Sequence, residues 1–391
     1  MRPRTLSAPS LRGSAAALAA AALATAAVPA AARAQEPIRI GAILAVTGPA
    51  AFLGAPEART LEMLAEQTNA QGGIAGRKVQ LIVKDTGGSS EKAVSFAKQL
   101  TEEEKVFAIL GPSTSGETMA VKAIAEETRT PLLSLAAAEV IVNPVAKYVF
   151  KTAQKDSHAI VKIFQDMKRR GISRVAVFSS NTGFGKAGKE QIEKLAPEYG
   201  IQIVLNEVYD KAATDLSAEA TKLKASNAQA VLNWSIEPAQ SILVKNVRQL
   251  GVSIPIYQSH GFGNLAYAKA AGPAAEGVIF PLGRLLVADA LPDGHPQKAV
   301  LVGYRKAYQA RFAEEVSGFG GYAWDAWTIL VRAIEQAGPD RDKVRAAIEG
   351  TKGFVGTSGV FNFSPTDHNG LDIGSFEMLT VKDGRFVILE K

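Results

Sequence analysis

Three short stretches carry residue types whose spacing could do chemistry. Gly183-Phe184-Gly185-Lys186-Ala187-Gly188 matches G-x-G-x-x-G, with the acid Glu207 about 24 residues beyond the first glycine. In a dinucleotide fold such glycines let a pyrophosphate approach a helix N-terminus, and the acid holds the ribose. Here Ser180-Asn181-Thr182 separates the preceding apolar run from the first glycine, which is longer than that tight turn requires. Gly183 to Lys189 also reads as G-x-x-x-x-G-K, but Glu190 stands where a hydroxyl would hold magnesium, and an acid there repels phosphate. Neither a nucleotide nor any other cofactor is expected. The chain has no cysteine and four histidines. Thiolate nucleophiles, disulfides and cysteine metal sites are excluded, and a multi-histidine metal site is not expected. There is no G-x-S-x-G elbow, no H-E-x-x-H, and no acid pair whose spacing suggests catalysis. The sequence points to binding rather than to an enzyme.

The third stretch is Gly111-Pro112-Ser113-Thr114-Ser115-Gly116-Glu117. Thr114 with Glu117 three residues on is a capping box, which starts a helix. Ser115 then sits where a strand ends and a helix begins. The first backbone N–H groups of a helix lack partners and its dipole favours an anion, so Ser115 with its hydroxyl donor suits a ligand carboxylate.

Such a site needs elements to carry it. Short apolar β-branched runs alternate with amphipathic stretches. Strands are expected at Ile38–Val46, Val79–Asp85, Val106–Leu110 and Leu132–Ser134, with helices at Glu57–Gln67, Glu91–Glu103 and Ala120–Glu127. The pattern restarts with helices at Ile160–Arg169, Gly188–Leu195, Ser217–Ala225 and Ala239–Leu250. Strands at Arg174–Ser179, Ile201–Val208, Ala230–Asn233 and Ile254–Gln258 alternate with them. Strands apolar on both faces belong in parallel sheets covered by helices, so two successive series predict two doubly wound α/β lobes. Helices at Val300–Phe312, Ala323–Gln336 and Lys343–Glu349 follow, and short strands near Val360–Phe363, Ser375–Val381 and Phe386–Leu389 close the chain.

The length of 391 residues suits two domains, with 47% hydrophobic and 21% charged residues an ordinary globular balance. The net charge of +6 could suggest nucleic acid. However, Arg2, Arg4 and Arg12 precede an alanine-rich run that ends in Ala32-Arg33-Ala34, the layout of a secretory signal peptide cleaved after Ala34. Removing residues 1–34 leaves 40 basic and 38 acidic residues, so the nucleic-acid expectation loses its support. An exported protein of the periplasm is expected.

An ordered set of motifs then carries a resemblance. It runs through Thr47-Gly48-Pro49-Ala50-Ala51-Phe52-Leu53-Gly54, Asn69-Ala70-Gln71-Gly72-Gly73-Ile74-Ala75-Gly76-Arg77-Lys78-Val79 and Gly111-Pro112-Ser113-Thr114-Ser115. It continues through Ser134-Leu135-Ala136-Ala137-Ala138, Thr182-Gly183-Phe184-Gly185, Asp215-Leu216-Ser217 and Gly261-Phe262-Gly263-Asn264. Over essentially all of 37–391 the chain resembles the leucine/isoleucine/valine-binding family of periplasmic solute-binding proteins of ABC transporters. The resemblance implies two Rossmann-like lobes joined by three crossovers, with ligand in the cleft between them. Lobe I would hold 37–154 and 284–370, and lobe II 155–283 and 371–391. It implies an inner-membrane permease as partner, a small carboxylate as ligand, and a monomer.

By the same resemblance Ser115, Ala136 and Ala138 match the positions that hold the ligand carboxylate. Leu53 and Phe52 match a pocket wall, and Phe184 a ring that closes from lobe II. Trp234 and Phe319 lie at or beside pocket-lining positions. His260 departs from the family pattern: amino-acid binders carry a glutamate there for the ligand α-ammonium. That departure implies an acid without an α-amino group, an aromatic acid or a branched 2-oxo acid. The alternatives are that Glu237 supplies the missing carboxylate to a branched-chain or aromatic amino acid, or that the protein senses ligand for a separate receptor. Arg284 is expected in a surface ion pair, and His158, His295 and His368 are expected to face solvent.

Overall fold

The computed structural model describes residues 1, 3–8 and 36–390. The stretch 9–35, on which the export-signal expectation chiefly rests, lies outside the described residues. Met1–Glu36 and Pro37–Lys391 separate as two units, and the fold is that of the second.

Its first half runs β1 (Ile38–Leu44), α1 (Ala51–Ala70), β2 (Val79–Asp85), α2 (Ser90–Lys98), β3 (Ala108–Leu110), α3 (Ser115–Glu127), β4 (Leu132–Ser134) and β5 (Val149–Lys151). These strands form a five-stranded parallel sheet in the order β2-β1-β3-β4-β5. The second half runs α4 (Asp156–Arg169), β6 (Arg174–Ser180), α5 (Gly183–Leu195), β7 (Gln202–Tyr209), α6 (Ser217–Ala225), β8 (Ala230–Trp234), α7 (Ala239–Gln249), β9 (Ile256–Gln258), α8 (Leu265–Ala271) and β10 (Ile279–Leu282). The chain then makes α9 (Lys298–Phe312), α10 (Gly318–Ala337), α11 (Arg341–Glu349) and the hairpin β11 (Phe354–Val355) with β12 (Val360–Phe361). It ends in β13 (Glu377–Lys382) and β14 (Arg385–Ile388). The second sheet has seven strands in the order β14-β13-β10-β9-β8-β6-β7, parallel except where β13 pairs with β10 and β14. Because α10 packs on α1 and β3, the chain crosses between the halves after β5, after β10 and again before β13.

The local causes are legible. Every residue of β8 and all but the first of β6 are buried, as parallel strands covered on both faces must be. Helix α4 buries Ala159, Ile160, Ile163, Phe164 and Met167, a 3.6-residue stripe. The hydroxyl of Thr114 caps α3 and Glu117 completes the capping box. Thr182 caps α5, which begins at Gly183, five residues before the expected start.

Three differences from the sequence reading have physical reasons. Helix α1 begins at Ala51, with Pro56 inside it. Pro56 has no N–H for the carbonyl of Phe52, and the side-chain amide of Asn264 donates to that carbonyl instead at 3.0 Å. Strand β5 is three residues long, too short for a periodic signal. His368 does not face solvent: it is fully buried, stacked on Phe150 at 4.1 Å, with Nδ1 against the carbonyl of Val149 and Nε2 against Glu349. His158 and His295 are partly buried.

Phe150 also meets Phe363 edge-on at 5.7 Å, so one β5 ring joins the first crossover to the segment before the last. Phe150→Ala is expected to cost about 3–5 kcal/mol of unfolding free energy, read from urea denaturation.

Candidate functional site

The carboxyl ends of parallel strands and the N-termini of the helices that follow them lie at one edge of a sheet. Here both sheets turn that edge toward the same cleft. Helix α3 brings Ser115 and Gly116, and helix α5 brings Gly183 and Phe184. The two backbones meet: a Cβ on Gly183 would stand 2.7 Å from the Cα of Gly116. Both residues sit in the first turn of their helices, where N–H groups have no intrahelical acceptor.

Behind this contact lies a tight inner pocket. Leu53, Leu135, Phe184, Ile236, Phe319 and Tyr322 give it an apolar wall, with Ala136, Ala137 and Gly261. Ser113, Ser115 and His260 are its polar members. A larger outer chamber lies on the other side of Phe184 and Ile236, which line both spaces and form the partition. That chamber is polar, lined by Ser90, Thr114, Asn181, Thr182, Lys211 and Glu237.

His260 is 1% exposed, and among the described residues neither ring nitrogen makes a well-aligned hydrogen bond, the backbone of Gln154 being the polar group that approaches the ring. Phe184, Trp234 and Phe376 meet it edge-on at 5.5–5.6 Å. Burial, followed by the Lys151 cation, pulls its pKa down to about 3; the backbone of Gln154 opposes this weakly. The imidazole is neutral at physiological pH. It can donate from one nitrogen and accept at the other.

The remaining polar groups divide into spent and unspent. Ser115 Oγ accepts from the Ala138 N–H at 3.2 Å, which leaves its hydroxyl proton without an acceptor among the described residues. The Ala136 N–H is spent on Ser134 Oγ at 3.1 Å. Ser113 Oγ accepts from the Ala45 N–H and donates to Glu57. Glu57 is fully buried beneath Ser113, and burial raises its carboxyl to about 8, with the Ser113 hydrogen bond opposing and Glu117 adding to the rise. No ionised carboxylate therefore lines the inner pocket at neutral pH.

Leu53, Ser115, Ala136, Phe184, His260 and Phe319 come together in the inner pocket. Ala138 lies behind the wall. Trp234 also lies outside the lining, stacked on Phe184 at 5.6 Å over Gly188, where a Cβ would stand 2.0 Å from its Nε1. Phe52 packs edge-on against Tyr267 at 4.9 Å. Glu237 lines the outer chamber, its Oε2 held by Ser235 Oγ at 2.7 Å and the Ile236 N–H at 3.2 Å. Arg284 does pair with an acid, Glu377, but that pair is largely buried on the arginine side and not at the surface. Sequence reasoning missed Tyr322 and Ile236. Tyr322 follows Phe319 by three residues on α10, the spacing that shares a helix face.

Comparison with known proteins fits this architecture. The periplasmic binding protein family matches residues 37–384. The chain belongs to that family. Among relatives, the leucine-, isoleucine-, valine-, threonine- and alanine-binding protein of Pseudomonas aeruginosa is 25% identical over 324 residues, covering 81% of this chain and 83% of the relative. A Leu/Ile/Val-binding protein homolog of Brucella melitensis is 26% identical over 366 residues, covering 92% and 95%. A solved extracellular ligand-binding receptor of Rhodopseudomonas palustris HaA2 superposes with a TM-score of 0.85 at 28% identity, over 90% of this chain and 99% of that one. The branched-chain amino acid transporter substrate-binding protein LivJ of Streptococcus pneumoniae, solved with isoleucine, shares the fold at a TM-score of 0.79 and 24% identity, over 90% and 97%. The fold is that of a type I periplasmic binding protein.

Two outcomes follow from the geometry. Glu57 in the folded chain keeps a proton that the unfolded chain, with a value near 4.5, has released. This group therefore costs stability progressively as pH rises from about 4.5 to about 8. Glu57→Gln should flatten that fall, so that its advantage over the wild type grows between pH 5 and pH 8 in urea denaturation. Gly183→Ala should hold the cleft ajar, seen as a larger radius of gyration by small-angle scattering, with unchanged secondary structure by circular dichroism.

Proposed function

We propose that the protein captures a small carboxylate with an apolar or aromatic body and no α-amino group, an aromatic acid or a branched 2-oxo acid, and delivers it to an ABC permease. The observation that carries the reading is the inner pocket itself. It offers donors from Ser115, at the start of α3, and from neutral His260, against an apolar wall. It offers no ionised carboxylate to an ammonium group, and an unpaired buried charge costs on the order of 3–5 kcal/mol. A ligand carboxylate would rest on the Ser115 hydroxyl and the α3 N-terminus, Leu53, Phe184 and Phe319 would hold its body, and His260 would meet a hydroxyl, oxo or carboxylate oxygen.

The mechanism is capture, not catalysis. Lobe I (37–154 and 284–370) takes the ligand first, and lobe II (155–283 and 371–391) swings onto it by bending at the three crossovers. Ligand stabilises closure only through contacts that span both lobes, and Ser115 with His260 would be such a pair. The exported chain, cleaved after Ala34, would act as a monomer in the periplasm.

The rival is a branched-chain amino acid, the ligand that relatives are named for. In that case Glu237, at the partition, would have to turn from the outer chamber to meet the ammonium. Thermal stabilisation separates the two once co-purified ligand is removed by unfolding and refolding. One panel is leucine, isoleucine, valine and phenylalanine; the other is benzoates, hydroxycinnamates, phenylacetates and branched 2-oxo acids. Ligand at about 100 times its dissociation constant adds roughly 2.7 kcal/mol, a readable shift in melting. Only the amine-free panel is expected to respond, and His260→Glu should transfer the response to the amino acids. A wild-type response to leucine or valine overturns the reading.

A further inference from the structure

One lysine is buried beside this pocket without lining it. Lys151, the last residue of β5, is fully buried. A buried ammonium without compensation is expensive, so its surroundings must explain it. Its Nζ donates to the carbonyl of Ala137 and, at 3.2 Å, to that of Gln154. Ala137 is part of the inner-pocket wall. The cation thus lies one residue behind the lining, on the side where Ser115 and Ala136 stand, and it is close enough to His260 to disfavour a second positive charge there.

We propose that the Lys151 ammonium is the buried counter-charge of the inner pocket: held behind the pocket wall by the carbonyls of Ala137 and Gln154, it makes the pocket select anions and disfavour cations. Lys151 acts through the field it sets up rather than by touching ligand, so it is a specificity-determining and positioning residue. The inference rests on the proposed carboxylate ligand but not on the absence of an amino group.

The charged groups around Lys151 come from several elements. Asp156 at the start of α4 faces it, with Oδ1 taken by the N–H groups of Glu139 and Ser157 and Oδ2 unpartnered. Glu139, from the loop after β4, and Asp367, ion-paired to Lys155 at 3.0 Å, favour the lysine proton, and Lys155 opposes it. Burial pulls Lys151 below its ordinary range and the acids hold it up. An anion arriving in the pocket pushes in the same direction as the acids. Binding a carboxylate near pH 8 should therefore draw a fraction of a proton from solution onto Lys151. Glu57 and Asp325, buried acids raised to about 8 and about 7, titrate in the same range and are removed from the measurement by Glu57→Gln and Asp325→Asn.

Titration calorimetry of the purified protein tests this. The probes are 4-hydroxybenzoate, 4-methyl-2-oxopentanoate and leucine, with 4-hydroxybenzamide as the uncharged control. Each is run at pH 8 in two buffers of different ionisation enthalpy. Lys151→Met should weaken whichever carboxylate binds at least tenfold and leave the affinity for 4-hydroxybenzamide within twofold of the wild type. Lys151→Arg, whose charge does not titrate, should keep carboxylate affinity and abolish the proton uptake, while Glu57→Gln retains it. Equal carboxylate affinity in Lys151→Met overturns the inference. If that variant does not fold, uptake that persists in Lys151→Arg overturns it instead. Binding of leucine alone would defeat the amine-free reading, and the same variants would still decide Lys151 on leucine's carboxylate. If no carboxylate binds the wild type, both fall.

Discussion

Two backbones meet at Gly116 and Gly183, and the rest of the site depends on that meeting. Each glycine lies in the first turn of a helix that follows a parallel strand, one in each sheet. Two side chains there would hold the helices apart and leave their unpaired N–H groups in water. With glycine at both positions the positive ends of the two helices close on one small volume, where the dielectric is low and donors count for more. Phe184, next to this contact, and Ile236 stand between the outer chamber and the inner pocket.

The inner pocket leaves polar capacity unused in one direction. Among the described residues neither His260 ring nitrogen makes a well-aligned hydrogen bond, and the Ser115 hydroxyl has a proton without an acceptor. Buried polar groups are ordinarily paired, so a site left in this state is shaped for an occupant that completes it. The acids near it are either protonated, as Glu57 is, or turned into another space, as Glu237 is. The proposal of an amine-free ligand rests on this balance of donors over acceptors more than on any single residue.

Much of this was legible in the sequence because the local signals agree with the global fold. The Thr114–Glu117 capping box placed Ser115 at a helix start, and alternation of apolar strands with amphipathic helices predicted two wound sheets. What was not legible has a physical cause in each case. Tyr322 reads as an ordinary aromatic of a buried helix, and only the packing of α10 against α1 brings it to the pocket. Trp234 ends a strand whose every residue is buried, so nothing local says whether its ring meets ligand or supports a ring that does. His368 has polar neighbours in sequence but stacks on Phe150, more than 200 residues away, a contact that only the last crossover creates. Glu237 follows the Ser235-Ile236 pair, and the turn of one side chain toward its own loop sends it to the outer chamber.

The position of the buried charges adds a further constraint. Lys151, Asp156 and Lys155 lie where the chain first leaves one sheet for the other, and Asp367 meets Lys155 from the segment that leads to the last crossing. A hinge made of apolar contacts alone would tolerate sliding in many directions. A buried network of charges does not, because each broken pair leaves an uncompensated group. The network also reaches the pocket wall through the Ala137 carbonyl. The first crossover and the loop after β4 are therefore tied to one lysine side chain. Under the proposed function, a change at Lys151 alters the charge behind the pocket wall and the packing of the first crossover together.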